Sequence, residues 1–156
     1  VGGGTGLAPF IAFAHHFHDT NDKRELIILH GASYIDELSY RRLLTGYDDE
    51  SKKRGSDQWN FRYRAAISRP KEYYNRSWSG PVGRVESFFK PDKKTGLSPV
   101  DEMVGEEITP DNTIVYICGY QGTIDGVIEY LGSRGFVTEH EKNPDGSFGI
   151  KFESYG

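Results

Sequence analysis

Two short apolar runs constrain this chain more than any other feature: "ELIILH" at 25–30 and "TIVYICG" at 113–119. Neither alternates between apolar and polar residues. A strand that is apolar at successive positions is buried on both faces, as in a parallel sheet covered by helices. A third segment, "NFRYRAAIS" (60–68), alternates and then turns apolar, which predicts a strand ending at Ser68. Helical periodicity lies between these runs. Leu7, Phe10, Ile11, Ala14 and Phe17 predict a helix over 8–18, and Ile35, Leu38 and Leu43 predict one over 35–44. "GRVESFF" (83–89) starts a short helix, and "GTIDGVIEYLGSR" (122–134) reads as a longer one. The alternation predicts a three-layer α/β/α domain with a mostly parallel sheet.

Between these elements, 46–58 ("GYDDESKKRGSDQ") reads as a loop or ragged helix end, with 48–54 a solvated face of mixed charge. The stretch 69–81 ("RPKEYYNRSWSGP") reads as a loop long enough to carry function. The C-terminus is locally ambiguous. Asn143-Pro-Asp-Gly146 signals a hairpin, whereas the competing reading extends the preceding helix, loops through the same residues and makes only "FGIKFES" the last parallel strand.

Bulk composition excludes several classes. The 156 residues suffice for one domain with a real core. With 27% charged and 13% aromatic residues, the chain is too apolar to be disordered. A net charge of -4 gives no electrostatic case for nucleic acid. No apolar run approaches the roughly 20 residues that span a bilayer, and the chain does not open on a charged-then-apolar signal. The single cysteine, Cys118, forms no internal disulfide and favours a reducing, cytoplasmic setting.

The chain opens on "VGGGTGLAPF", with four glycines in its first six residues. Gly4, Thr5 and Gly6 supply the first two glycines of a dinucleotide fingerprint, with Pro9 in place of the third. Proline in the first helical turn loses nothing, and the remaining free N–H groups and the helix dipole favour an anion. Alone, the pattern is also what a flexible glycine-rich terminus looks like. A P-loop is excluded, because no Gly-Lys-Ser/Thr follows. The strand at 25–30 leads into Gly31, Ala32 and Ser33, with no acid at its tip to hold ribose hydroxyls; Asp36 and Glu37 come later. Positive charge gathers at the next strand's tip instead, in Ser68-Arg69, Arg76 and Arg84. A hydroxyl and guanidinium forks suit a dianionic phosphate monoester, such as the 2′-phosphate of NADP. A solvated basic loop is the plainer alternative.

"GGGTGLAPF", "LHGASYIDELSYRRLL", "ISRP…VGRV", "YICGYQGTIDG" and the terminal "FESYG" stand in the order seen in ferredoxin–NADP reductases. The chain resembles the NADP-binding half of that flavoprotein family, most of all its bacterial branch. The resemblance implies a Rossmann-like domain of the ferredoxin-reductase C-terminal type. It implies that Ser68, Arg69 and Arg84 grip the 2′-phosphate, and that Gly4, Thr5 and Gly6 lie near the pyrophosphate and nicotinamide. It places Cys118 and Gly119 beside nicotinamide and flavin. Glu153 would then support hydride transfer or proton exchange, and Tyr155 would stack on the flavin. The implied cofactors are NADP and FAD, and the implied electron partner is ferredoxin or flavodoxin, with a monomeric protein inserted in no membrane.

The departures are specific. Many bacterial members carry an arginine where this chain has Ser33, and many end Tyr-Trp where this one ends Tyr155-Gly156. The family's FAD-binding barrel precedes this domain and is not among these residues, so Val1 is expected to close the first, central strand. The resemblance also favours the parallel reading of the C-terminus, because Glu153 must point the same way as Cys118. An NADH-dependent reductase component of an oxygenase or hydrogenase, and a nucleotide-binding module without redox work, stay open. Two further features read as surface. "HHFH" (15–18) could ligate zinc through His15 and His18 but reads as solvated helix histidines. Lys52, Lys53 and Arg54 could help dock an acidic partner.

Overall fold

The computed structural model describes residues 1–54 and 58–155. The chain forms two compact units, Val1–Val85 and Glu86–Gly156. The first contains β1 (Gly2–Gly3), α1 (Ala8–Thr20), β2 (Glu25–Ala32), α2 (Arg41–Arg54) and β3 (Asn60–Ile67). Its strands run in the order β3-β2-β1, every pairing parallel, with Gly2 opposite His30 and Ala32 opposite Ile67. β2 is buried over its second half, as an unalternating apolar run requires. α1 buries Phe10, Ile11 and Ala14, the stripe its spacing predicts. It ends at Asn21, whose left-handed backbone (φ 51) lets its N–H reach the carbonyl of His18.

The expected helix over 35–44 is broken. A 3-10 turn, Ile35–Glu37, is followed by Tyr40 at φ 60, and only then does α2 begin. α2 continues through most of the stretch expected to be a loop, of which 55–57 lie outside the described residues. The reason is an edge. Along the outer side of β3, alternate backbone N–H groups donate to side chains: Trp59 to Asn21 Oδ1, Phe61 to Ser51 Oγ, and Tyr63 to Asp48 Oδ2. Asp48 and Ser51 are buried rather than part of a solvated face. An unpaired strand edge invites aggregation, and Ser51 and Asp48 of α2, with Asn21 at the end of α1, supply its acceptors in place of another strand. Lys52 and Arg54 form i,i+4 ion pairs with Asp48 and Glu50 along the same helix.

The histidines of α1 also do more than face solvent. His18 stacks on Tyr47 (4.7 Å between centroids), meets Trp59 edge-on and places Nε2 3.1 Å from Glu50 Oε2. His15 Nδ1 lies 2.9 Å from the Tyr47 hydroxyl. Both therefore tie α1 to α2. Fully buried Trp59 stacks on Phe61 at the centre of this aromatic cluster.

The second unit holds α3 (Pro99–Val104), β4 (Val115–Gly119), α4 (Gln121–Gly132) and β5 (Ile150–Ser154). A 3-10 turn, Val85–Phe89, stands where a short helix was expected. α3 went unread in the sequence. Its signal is Ser98-Pro99-x-Asp101, in which Ser98 Oγ accepts from the N–H of Asp101 and the Asp101 carboxylate accepts from that of Ser98. Buried Asp101 also takes both arms of the Arg134 guanidinium (2.7 and 2.8 Å) and the N–H of Ile108.

β5 runs parallel to β4, with Cys118 opposite Glu153. The hairpin is therefore absent, although Asn143–Ser147 does form the turn its residues signal, with Gly146 at φ 83. The extension of the preceding helix is absent too. α4 stops at Gly132, and Thr138 instead bridges Ile150 in parallel. The helix ends on a left-handed glycine: Gly135 sits at φ 87, and the N–H of Phe136 returns to the Leu131 carbonyl. Beyond it, Phe136 packs so near Gly149 that a Cβ there would lie 2.7 Å from its ring. No helix among the described residues is long and apolar enough to cross a membrane.

Candidate functional site

In the first unit, the glycine loop bends immediately after β1. Gly4 sits at φ 54, where a side chain would be strained, and a 3-10 turn over Gly4–Leu7 leads into α1. Thr5 and Pro9 are exposed, and Gly6 is buried. The first turn of α1 has no acidic residue and its cap makes no side-chain hydrogen bond, so the helix start itself supplies no anion.

His30, fully buried on β2, holds the loop from below. Its Nε2 lies 3.3 Å from the Gly4 carbonyl, and its Nδ1 lies 3.2 Å from the Tyr63 hydroxyl. The neutral ring, donating from Nε2 to Gly4 and accepting at Nδ1 from Tyr63, satisfies both. Burial pushes the His30 pKa below its ordinary value, against the pull of the Gly4 carbonyl. Nothing in the sequence marks this role, since an apolar strand histidine reads as ordinary core.

At the tips of β2 and β3, Ser68 and Arg69 emerge exposed, the N–H of Ser68 bound to the Ala32 carbonyl. The chain then makes a 3-10 turn, Tyr73–Asn75, and returns beside β3. Val82 bridges Ile67 in parallel, and Gly83 donates to the Ile67 carbonyl. Arg84 thus follows Val82 in the direction in which Ser68 and Arg69 follow Ile67. These three residues are brought to one edge. Arg76 is exposed and lies over the Tyr73 ring at 4.4 Å. Arg69 reaches across to the turn after β2: its Nη1 donates to the Tyr34 hydroxyl (3.2 Å), and its guanidinium lies 5.6 Å from that ring's centre.

An acid does reach the β2 tip, contrary to the sequence reading. Glu37 folds back so that its Oε2 accepts from the N–H groups of Ser33 (2.9 Å) and Tyr34 (3.1 Å).

The second unit carries the other group of expected site residues. Cys118 is buried near the end of β4, and burial, then the facing Glu153 charge, pushes its thiol pKa up. A thiol in that state is a poor nucleophile and a compact, polarizable wall. Glu153 is exposed at the end of β5. Tyr155 donates its N–H to the Gly119 carbonyl and sets its ring 5.1 Å from that of Tyr120, which is 59% exposed. Tyr120 was not singled out in the sequence, where its position just before α4 reads only as a helix start.

The family model of the oxidoreductase NAD-binding domain matches residues 1–128. The chain belongs to that family. It is 23% identical over 152 residues to ferredoxin–NADP reductase of Azotobacter vinelandii, covering 95% of this chain and 53% of that protein. Among solved structures, it resembles a ferredoxin NADP+ reductase from Neisseria gonorrhoeae with bound FAD and NADP: TM-score 0.65, 21% identity, 98% of this chain and 53% of that one. It also resembles the flavohem-like FAD/NAD binding domain of nitric oxide dioxygenase from Vibrio cholerae: TM-score 0.62, 13% identity, 99% and 49%. The fold is thus the parallel, Rossmann-like α/β type of this NAD-binding family, as expected. The chain spans about half the length of the curated relative it matches.

Proposed function

We propose that residues 1–156 are the NADP(H)-binding domain of a flavoprotein reductase whose FAD-binding barrel precedes them. The observation that carries this reading is the edge formed by Ser68, Arg69 and Arg84 after β3, in a parallel sheet whose β1, one strand beyond β2, leads into a glycine loop with an uncapped helix start. A hydroxyl and two guanidinium forks match a phosphate monoester in charge and geometry. The loop and the start of α1 suit the pyrophosphate that the same nucleotide carries.

When bound, the nicotinamide supplies hydride exchange with the flavin. The chain's residues orient and exclude. Gly4, Thr5 and Gly6 let the backbone approach the pyrophosphate, while Pro9 costs the helix start no hydrogen bond. Ser68, Arg69 and Arg84, with Arg76 nearby, neutralise the 2′-phosphate. Cys118, Gly119, Glu153 and Tyr155 are the residues of the second unit that would bound a nicotinamide and a flavin, Cys118 as a compact wall and Glu153 as a carboxylate. The electron acceptor proposed for the whole protein is ferredoxin or flavodoxin.

One observation favours a second reading, an NADH-dependent reductase component. Glu37 places a carboxylate at the β2 tip, where an acid would accept from ribose hydroxyls and repel a 2′-phosphate. Turnover separates the two. The chain joined to a flavin-binding barrel should reduce a dye with NADPH in preference to NADH, and the 156 residues alone should reduce none. A preference for NADH would favour the second reading, and turnover without an added flavoprotein would contradict the division of labour.

A further inference from the structure

Asn75 is 1% exposed in the middle of a loop whose neighbours face water. A buried amide must have its donors and acceptor met, and here backbone meets all of them. Its Nδ2 donates to the carbonyls of Ser33 (2.9 Å) and Arg69 (2.8 Å), and its Oδ1 accepts from the N–H of Ile35 (3.0 Å). One side chain therefore joins the turn after β2 to the turn after β3.

The turn it grips is closed on every side. The N–H groups of Ser33 and Tyr34 go to Glu37 Oε2. The carbonyl of Tyr34 accepts from Glu37 N, and that of Ile35 from Leu38 N. Asn75 takes the remaining two, Ser33 O and Ile35 N. No backbone polar group over 33–35 is left to water, so Tyr34 stands on a fixed base. Across the gap, Arg69 has its own carbonyl held by Asn75 and its guanidinium on the Tyr34 hydroxyl and ring. Fixing both backbones sets the reach of a long, entropically costly side chain before any ligand arrives.

We propose that Asn75 is a positioning residue for nucleotide specificity. It locks the β2 and β3 tips together so that Arg69, steadied on Tyr34, meets a phosphate monoester on the ribose. The proposal rests on the NADP reading above. Arg69 remains the group that touches the ligand, and Asn75 acts through it.

The test is a cycle of the full chain, Asn75→Ala, Arg69→Ala and the double variant, each titrated by calorimetry with 2′-phospho-AMP and with AMP. Thermal unfolding is recorded beside each. Asn75→Ala should lose about tenfold in affinity for 2′-phospho-AMP while AMP changes little, and it should lose nothing further once Arg69 is gone. Equal losses for both ligands, or the same loss with and without Arg69, would overturn the proposal. Should Asn75→Ala unfold, Tyr34→Phe, which disturbs no buried group, carries the test with an expected loss of about fivefold confined to 2′-phospho-AMP. No such loss would count against the proposal. Failure of the wild-type chain to prefer 2′-phospho-AMP would remove the NADP reading and this inference together. Preference in the wild type with no change in any Asn75 or Tyr34 variant would remove this inference alone.

Discussion

The strand tips of the two units carry different chemistry. In the first unit, the tips of β2 and β3 present cations on loops whose backbone is closed by Asn75 and Glu37. In the second, the tips of β4 and β5 present a buried thiol, a carboxylate and two tyrosine rings, with no arginine or lysine between Cys118 and Gln121 or after Lys151. Gripping a phosphate needs charge held at a set reach. Bounding a planar ring needs flat surface, which the tyrosine rings offer. Under the proposed function the first edge serves affinity and discrimination, and the second serves orientation.

The two units also bury acids differently, which gives the largest expected effect. The Asp101 carboxylate meets Arg134, the N–H groups of Ser98 and Ile108, and the Ser98 hydroxyl. Burial pushes its carboxyl up, but Arg134 and the Ile108 and Ser98 N–H groups outweigh this and hold it well below the usual carboxylate range. Arg134→Met should cost about 3–5 kcal/mol of stability, because it strands a buried charge. Urea titration would measure the loss. A change under about 1 kcal/mol would mean that Asp101 is less enclosed than its contacts indicate.

Next come the cations of the first unit. Arg69→Ala with Arg84→Ala should weaken NADP+ about a hundredfold, from roughly 1.5 kcal/mol per lost charge-assisted contact, and leave NAD+ nearly unchanged. Cys118→Ala should leave both affinities alone and slow turnover of the flavin-joined protein. If the cysteine variant lost nucleotide affinity as the arginine variant does, the contrast between the two edges would fail.

A smaller effect concerns His30. Its pKa lies below the ordinary 6.5 because it is buried. As pH falls through 6.5, the unfolded chain takes up a proton that the folded histidine refuses. Stability from this group is therefore full above that value and declines below it, down to the folded pKa. His30→Gln, which keeps a donor toward Gly4, should flatten that decline between pH 7 and 5 while preserving nucleotide affinity. An unchanged slope would show that the proton is taken up elsewhere.

Much of this was legible in the sequence for a simple reason. β2, β3, β4, α1 and α4 announce themselves through apolar spacing, whereas the parallel course of β5 is implied only by the family resemblance, against the local turn signal. What escaped depends on partners far along the chain. α2 looks too polar to be core-facing because Asp48 and Ser51 are buried as acceptors for β3, and no periodicity records a hydrogen bond to a strand edge. Asn75 resembles any loop asparagine until Ser33 and Arg69 converge on it. Glu37 was visible but assigned to a helix, and its return to the β2 tip depends on that helix breaking at Tyr40. The fold was carried by local pattern, while the fine shape of the site lies in side-chain-to-backbone bonds 40 or so residues apart.

The most direct test of the account is a calorimetric titration of the unmodified chain with 2′-phospho-AMP and with AMP at one salt concentration. The account predicts that the 2′-phosphate improves affinity at least about tenfold, the value of one charge-assisted contact or more. Equal affinity, or tighter binding of AMP, would contradict it and point to Glu37 and an NADH-using enzyme.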